Sequence, residues 1–333
     1  MVMTELDTDT SLPQAGSLEL ERRLEEHRTE LTAYCYRMLG SPFEAEDAVQ
    51  DTLLRAWKSY GSFEGRSQLK SWLYRIATNV CLDLLNGRNR RARPMDLGPS
   101  GTADPVNLGQ PLPEETWVEP VPDGRILPER GDPAQIAELK ESVRLAFVAA
   151  LQLLPPKQRA VLIMREVLRW KADEVALLLE TSVQSVNSAL QRARATIEKR
   201  SDVDASPEPM DDESAALLNR YVEAFESYDM DRLTALLRDD AYFNMPPYKL
   251  WLETHQDIRE WCLGPGIGCK DSRLIPTSAN GAPAFGQYKP DGKGGFEPWS
   301  LQVLDLRDGE LRGITFFLDT PHFFPLFGLP PRL

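Results

Sequence analysis

The sequence predicts a multidomain protein: two all-α blocks, the second holding a helix-turn-helix, followed by an α+β cone. Three observations carry this. Residues 18–93 and 138–200 place apolar side chains at helical spacing. Residues 94–137 between them are rich in Pro and Gly, with eight acidic and two basic side chains and little periodicity, the composition of a linker. Residues 214–333, beyond a short acidic linker at 201–213, pass from helical to alternating, aromatic-rich patterns, the order of an α+β domain. A chain of 333 residues has room for these parts, and residues 1–17 read as a flexible N-terminus.

In the first block, residues 41–63 predict one amphipathic helix, with Ala45, Ala48, Val49, Leu53 and Ala56 inward and Glu44, Asp47, Asp51 and Arg55 outward. An acidic outer face argues against DNA and for a protein partner, unless it is simply solvated. The next helix buries Leu69, Leu73, Ile76, Ala77, Val80 and Leu84. Residues 66–93 carry seven Lys or Arg against one acid, Asp83, a basic island in a chain of net charge −13. Tyr60, Phe63, Trp72 and Tyr74 add aromatic surface; Trp72 has equal reason to face inward, whereas Tyr74 is assigned to solvent or DNA.

In the second block, Ile136, Leu139, Val143 and Phe147 predict one helix, which Pro155 and Pro156 stop while opening the next. Ala172, Val175, Ala176 and Leu179 mark another, ended by Thr181-Ser182, which caps the last. That last helix buries Val183, Val186, Leu190, Ala193 and Ile197. Its other face presents Gln184, Ser185, Asn187, Ser188, Gln191, Arg192 and Arg194, side chains suited to base edges and phosphates. In a helix-turn-helix the start of the second helix enters the major groove, which places residues 182–191 at base edges. The bland alternative is a helical hairpin with a solvated polar face.

Beyond residue 213, ALLNRYVEAFESYDMDRLTALLRDDAYFNMPP predicts a helix, a turn at Tyr228-Asp229, a second helix ending at Asp239 and Asp240, and a strand at Ala241-Tyr242-Phe243. Residues 298–306 and 311–318 alternate as strands around Arg307-Asp308-Gly309-Glu310, whose Asp-Gly step suits a hairpin.

Read globally, the net charge opposes nucleic-acid binding, but its distribution reverses that inference. Residues 138–200 hold eleven basic and seven acidic side chains, residues 201–333 twelve basic and twenty-two acidic. Such a chain should bind free DNA weakly and a specific DNA site mainly with help from a partner. No membrane span or export signal is legible, so a cytoplasmic location is expected. Cys35, Cys81, Cys262 and Cys269, with His27, His255 and His322, show no zinc spacing. No metal or cofactor is expected, and the thiols are read as reduced, a Cys262–Cys269 disulfide being the alternative.

The run LPPKQRAVLIMREVLRWKADEVALLLETSVQSVNSALQRARATI resembles region 4 of an extracytoplasmic-function (ECF) sigma factor of the sigma-70 family, the bacterial polymerase subunit that recognises promoters. SPFEAEDAVQDTLLRAWKSYGSF and GRSQLKSWLYRIATNVCLDLLNGRNRRAR are similar to region 2. The resemblance implies two partners, core RNA polymerase (β′ clamp and β flap) and promoter DNA, with Asp47, Gln50, Asp51 and Arg55 carrying the polymerase contact. It implies that Arg66, Trp72, Tyr74, Arg75, Asn79, Arg88, Arg90 and Arg91 read the −10 element, with the loop at 60–68 holding a flipped base. Unstacking such bases costs roughly a few kcal/mol, offset by aromatic stacking and by charge along the freed strand. It assigns the −35 element to Ser182, Gln184, Ser185, Asn187, Ser188, Gln191, Arg192 and Arg194. The family usually carries basic residues mid-helix, where this chain has Asn187 and Ala189, which implies a different −35 preference. The segment corresponding to 94–137 threads toward the active-centre cleft in the family; here its Trp117-Val118-Glu119-Pro120-Val121-Pro122-Asp123 cluster is either incidental or docks on a partner surface.

Residues 214–333 resemble the SnoaL-like domains of the nuclear-transport-factor-2-like fold, which one class of ECF sigma factors carries. This implies regulation in cis through contact with region 2, region 4 or the linker. Its acidity, the Asp291-Gly292-Lys293-Gly294-Gly295 loop and an apolar tail from Phe323 to Leu329 motivate that reading; the tail either completes its own core or docks on a neighbour. A ligand pocket lined by Tyr221, Phe243, Trp251, Trp261, Phe285 and Trp299 is a second reading, and ordinary core a third. In isomerase-like members a tyrosine polarises a carbonyl and an acid just before a proline is the base. Tyr221 matches the first role, but Met245 precedes Pro246 and cannot be a base, so no enzyme is expected. Rival readings of the whole chain are a polymerase-independent DNA-binding regulator with a ligand-sensing domain, and a SnoaL-like enzyme on a DNA-binding arm. Neither needs both the acidic helix and the −10 reader.

Overall fold

The computed structural model describes residues 14–63, 68–199 and 212–333. The first block comprises α1 (Gln14–Glu25), α2 (Arg28–Leu39), α3 (Pro42–Ser59) and α4 (Leu69–Leu85). Ser41 caps α3, its hydroxyl accepting from the Glu44 amide at 3.4 Å while Pro42 fills the first turn. The central member is α2, in which every residue from Leu31 to Leu39 is buried, Arg37 included. It ends on Gly40, whose φ of 75° is left-handed.

Short turns and α5 (Asp123–Ile126) lead into the second block. Where one helix is expected, two are found: α6 (Pro133–Glu141) stops, Arg144 is extended at ψ 143°, and α7 (Leu145–Gln152) begins. The break frees carbonyls that other parts of the molecule use, Ser142 O by Arg37 and Val143 O by Asn280. After α8 (Pro156–Leu162) the chain makes one π-turn, Ile163–Val167, then α9 (Ala172–Leu178) and α10 (Val183–Ile197). Glu180 takes the left-handed turn position between the last two, at φ 51°. Leu31, Val49 and Leu73 of the first block share one continuous core with Val161, Val175 and Val186 of the second.

The rest contains α11 (Asp212–Glu226), α12 (Met230–Thr234), β1 (Leu237–Asn244), β2 (Trp251–Leu252), α13 (His255–Leu263), β3 (Arg273–Ala279), β4 (Ala282–Pro290), β5 (Phe296–Arg307), β6 (Glu310–Phe317) and α14 (Thr320–Leu326). Strand order is β2-β1-β6-β5-β4-β3, with β1 and β6 parallel and the other pairs antiparallel. This is the α+β cone that the sequence predicts. Asp239 and Asp240 lie within β1 rather than ending a helix, because α12 is only five residues long and Asp240 pairs across the sheet with Arg312 at 3.5 Å.

Alternation divides the sheet into two apolar faces. Phe243, Phe285, Leu304, Ile314 and Phe316 meet α11 and α13 through Leu217, Tyr221, Ile258 and Trp261. Ala284, Tyr288, Leu301, Val303 and Phe317 meet α14 on the opposite face, where Phe43 and Leu145 of the helical blocks also pack. The apolar tail therefore does both things considered for it. Phe323 and Phe324 complete the domain's core, and Phe323 also lies 6.1 Å from the Phe43 ring at the start of α3. Gly313 sits under its cross-strand neighbour Tyr242, and a Cβ there would come within 2.2 Å of the ring. Gly313→Ala should destabilise this domain by about 1–3 kcal/mol, read as an earlier denaturant midpoint. Among the described residues no helix is long and apolar enough to cross a membrane.

Candidate polymerase and promoter-DNA surfaces

On α3 the outward strip contains Asp47, Gln50 and Arg55, all exposed, and Asp51, whose carboxylate pairs with Arg55 at 2.8 Å. Leu54 and Trp57, 48% and 47% exposed, extend the strip at helical spacing from Asp47, Gln50 and Asp51. The sequence reading missed both. Their signal was available, since neither is in phase with the buried stripe of Ala45, Ala48, Val49, Leu53 and Ala56. A mixed strip of acids with a half-exposed Trp and Leu has the character of a protein-docking face rather than a solvated one. Glu44, expected outward, instead binds Arg88 at 2.5 Å and Arg91 at 3.0 Å.

At the start of α4, Trp72 is half-buried against Phe63 at 4.9 Å and Tyr60 at 6.5 Å. Arg75 and Asn79 follow on the same helical face and are exposed, as are Arg88 and Arg90 beyond the helix. Residues 64–67 of the 60–68 loop, Arg66 included, lie outside the described residues. Two residues assigned to the −10 element, Tyr74 and Arg91, are not presented to solvent in this arrangement. Tyr74 is fully buried, its ring 5.1 Å from both Tyr34 and Trp170, because the second block packs on this side of α4. Arg91 is 8% exposed and donates to Trp117 O at 2.7 Å and Glu114 O at 3.2 Å, so its charge anchors the linker.

In α10, Ser182 accepts from the Ser185 amide at 3.1 Å and starts the helix. Gln184, Ser185, Asn187, Gln191, Arg192 and Arg194 are exposed and Ser188 is partly so, one polar face opposite buried Val186, Leu190 and Ala193. Arg194 is tied to Glu166 at 2.6 Å. Val183, expected inside, is 43% exposed, because the first residue of the helix lies above the α8 contact that buries the later turns. This face can accept a major groove.

The chain matches the model of Sigma-70 region 2 over residues 24–91 and that of Sigma-70 region 4 over residues 144–197. It is 48% identical over 315 residues to the ECF RNA polymerase sigma factor SigG of Mycobacterium tuberculosis, spanning 93% of this chain and 83% of that one. The chain belongs to the ECF sigma factor family. SigW of Bacillus subtilis is 29% identical over 52% of this sigma factor and 84% of SigW. The crystal structure of SigJ from M. tuberculosis superposes with a TM-score of 0.59 at 21% identity, covering 94% of this chain and 99% of that one, so the three-part fold is shared.

In this sigma factor the linker is bound along most of its length. Its first part runs over the C-terminal domain: Trp251 Nε1 donates to Gly98 O at 3.0 Å, Gly101 N to Trp251 O at 2.8 Å, and Leu112 N to Pro247 O at 2.8 Å. Its second part lies in region 2, where Val118 N donates to Ala92 O at 3.1 Å and Glu119 N to Gly40 O at 2.9 Å. Trp117, Val118 and Val121 are buried, so the Trp117–Asp123 cluster docks rather than being incidental.

The β3–β4 hairpin closes this junction. Asn280 and Gly281, at φ 57° and 70°, form its two-residue turn. Asn280 is 1% exposed and reaches all three sigma segments. Its Nδ2 donates to Tyr36 Oη of region 2 at 2.6 Å and to Val143 O of region 4 at 2.7 Å, and its Oδ1 accepts from Val121 N of the linker at 3.0 Å. Gly281 N donates to Asp123 Oδ1 at 2.7 Å. Neither residue was singled out from sequence, although Asn-Gly between Ser278-Ala279 and Ala282-Pro283 is the strongest short hairpin signal. Nearby, Arg159 of region 4 donates to Met38 O of region 2 and, at 2.6 Å, to Gln152 Oε1, its burial lowering its pKa to about 10.

Glu119 lies in the same junction, 2% exposed, and burial raises its pKa to about 7 against the opposing pull of Arg91 at 3.4 Å. A carboxyl that binds its proton more tightly when folded favours the folded form at low pH. That contribution is full below the ordinary carboxyl value of 4.5 and is lost as pH rises through about 7. The unfolding free energy should therefore fall between pH 5 and 7.5 by about 1–3 kcal/mol more in the wild type than in Glu119→Gln, measured by denaturant titration at each pH. Parallel pH profiles would reject this role.

Of the residues expected to line a pocket, Tyr221, Phe243, Trp261 and Phe285 come together in one packed core, and Trp251 and Trp299 lie apart from it. Tyr221, Phe243 and Trp261 are packed into the core, with Tyr221 Oη donating to Gln302 Oε1 at 2.6 Å. Trp251 holds the linker, and Trp299 lies under Lys289, whose Nζ is 3.9 Å from the ring centroid. Phe285, also considered there, is core. All four cysteines are free thiols, Cys262 and Cys269 included.

Proposed function

We propose that this ECF sigma factor directs promoter-specific initiation through the α3 strip, the α4 face and α10, and that its C-terminal domain restrains it in cis by holding regions 2 and 4 together. One observation carries this: the two DNA-reading surfaces touch. Arg75, on the −10 face of α4, pairs with Glu180 in the turn of the helix-turn-helix. Promoter elements named for positions −10 and −35 are roughly 80 Å apart along duplex DNA at about 3.4 Å per base pair. Surfaces in contact cannot occupy both at once, so the described arrangement is closed and the regions must separate on the promoter. Separation pulls on the linker, and the C-terminal domain binds the linker at both ends and plugs the junction with Asn280.

The polar contacts are assigned on exposure and helical face. Asp47, Gln50, Asp51 and Arg55 with Leu54 and Trp57 meet polymerase; Trp72, Arg75, Asn79, Arg88 and Arg90 meet the −10 strand; the α10 face meets the −35 duplex. The test is transcription by core polymerase with the full-length chain and with a chain ending at Arg200. Specific transcripts that increase on truncation support restraint, and transcripts that decrease assign the domain an activating role instead.

A further inference from the structure

We propose that the cleft between region 2, region 4 and the C-terminal domain is an anion site centred on Arg307, taking a small molecule with a single phosphate group. The cleft has a volume of about 1300 Å³, and drug-sized ligands occupy roughly 300–1,000 Å³. Arg37 of region 2, Arg144 of region 4 and Arg307 of β5 all line it. Arg307 is 6% exposed, and its Nε and Nη1 have no hydrogen-bond partner. The nearest carboxylate oxygen, Asp305 Oδ1, is 3.5 Å from Nε, an ion pair without a hydrogen bond. A buried donor of this kind is costly unless something accepts from it, and a charged one more so.

The neighbouring guanidiniums point to what that acceptor is. Arg37 is 1% exposed, and its hydrogen bonds go to the Ser142 hydroxyl, at 2.7 and 3.2 Å, and to Ser142 O at 3.2 Å, all neutral. Arg144 faces two carboxylates, Glu141 at 2.9 Å and Asp305 at 3.3 Å. Asp305 is shared among Arg144, Arg307 and, at 3.8 Å, Arg312, so the guanidiniums outnumber the carboxylates they face and leave N–H forks whose geometry suits phosphate oxygens. The outer lining is acidic on balance, with Glu26, Glu30, Glu129, Glu138 and Glu166 against Lys70 and Arg169. That rim repels polyanions, nucleic acid among them, and admits one compact anionic group on a neutral or cationic body. The donors come from all three bodies, so an occupant ties them together.

The full-length chain titrated calorimetrically with inorganic phosphate and with glycerol 3-phosphate, at ionic strength matched by chloride, tests the site. Saturable binding to the wild type is expected, weakened about tenfold or more in Arg307→Gln and unchanged in Arg220→Gln, on the exposed face of α11. Should Arg307→Gln fail to fold, Arg144→Gln takes its place, with the same weakening expected. No saturable binding to the wild type, or equal affinity in the folded variants, overturns the proposal and leaves Arg307 satisfied by water alone.

Discussion

Replacing Gly281 by valine is expected to raise transcription by the full-length sigma factor several-fold while leaving each DNA-reading region folded. Gly281 has φ 70°, where a β-branched residue is strained, and a Cβ there would lie 2.8 Å from Lys140 Cβ and 2.9 Å from Lys140 O. The backbone of α6 cannot yield without disturbing the break that follows it, so the hairpin tip must withdraw. Asn280 goes with it and loses its bonds to Tyr36, Val121 and Val143. Each buried polar group left without a partner costs about 1–3 kcal/mol, enough together to shift a closed arrangement toward an open one by more than tenfold. Asn280→Ala removes the same bonds without the steric push and should act in the same direction, less strongly. Promoter run-off assays with core polymerase read the effect. A folded Gly281→Val chain with wild-type output would show that the hairpin does not set the closed state.

Trp57→Ala combined with Leu54→Ala is expected to weaken binding to core polymerase by about 10- to 100-fold, the loss usual for half-exposed aromatic anchors at an interface. Both side chains are about half exposed, so the free sigma factor should keep its stability to within about 0.5 kcal/mol. This separation distinguishes docking from folding. Asp51→Arg reverses the charge on the same strip and should add to the loss mainly by slowing association. A binding titration against core polymerase checks all three variants, and unchanged affinity in the double variant would move the docking face away from α3.

Much of this was legible before any coordinates, and what was missed has physical causes. Amphipathic helices announced themselves, so α3, α4 and α10 stand where their stripes put them. Helix α2 did not, because a helix buried on all sides from Leu31 to Leu39 has no polar face and hence no period. Tyr74 and Arg91 were assigned to DNA on residue type, and tertiary packing took them: region 4 covers one, and the linker claims the other. The split between α6 and α7 is likewise invisible in sequence, since Val143 fits the helical stripe and only Arg37 and Asn280 explain why the carbonyls there are freed. Composition marked 94–137 as a linker but could not show where it is held. A few apolar points, Trp117, Val118, Val121 and Ile126, suffice to pin it.

That bound linker limits how such a protein can be rebuilt, by evolution or by hand. Its residues near 98–112 fit Pro247 and Trp251, and those near 118–121 fit Ala92, Gly40 and Asn280. A C-terminal domain transplanted from a relative would arrive without the stretch shaped to receive it, and a new linker would strand the domain on its tether. The two should therefore be inherited as a pair, and functional chimeras should tolerate junctions near residues 93 and 201 only when both segments come from the same parent.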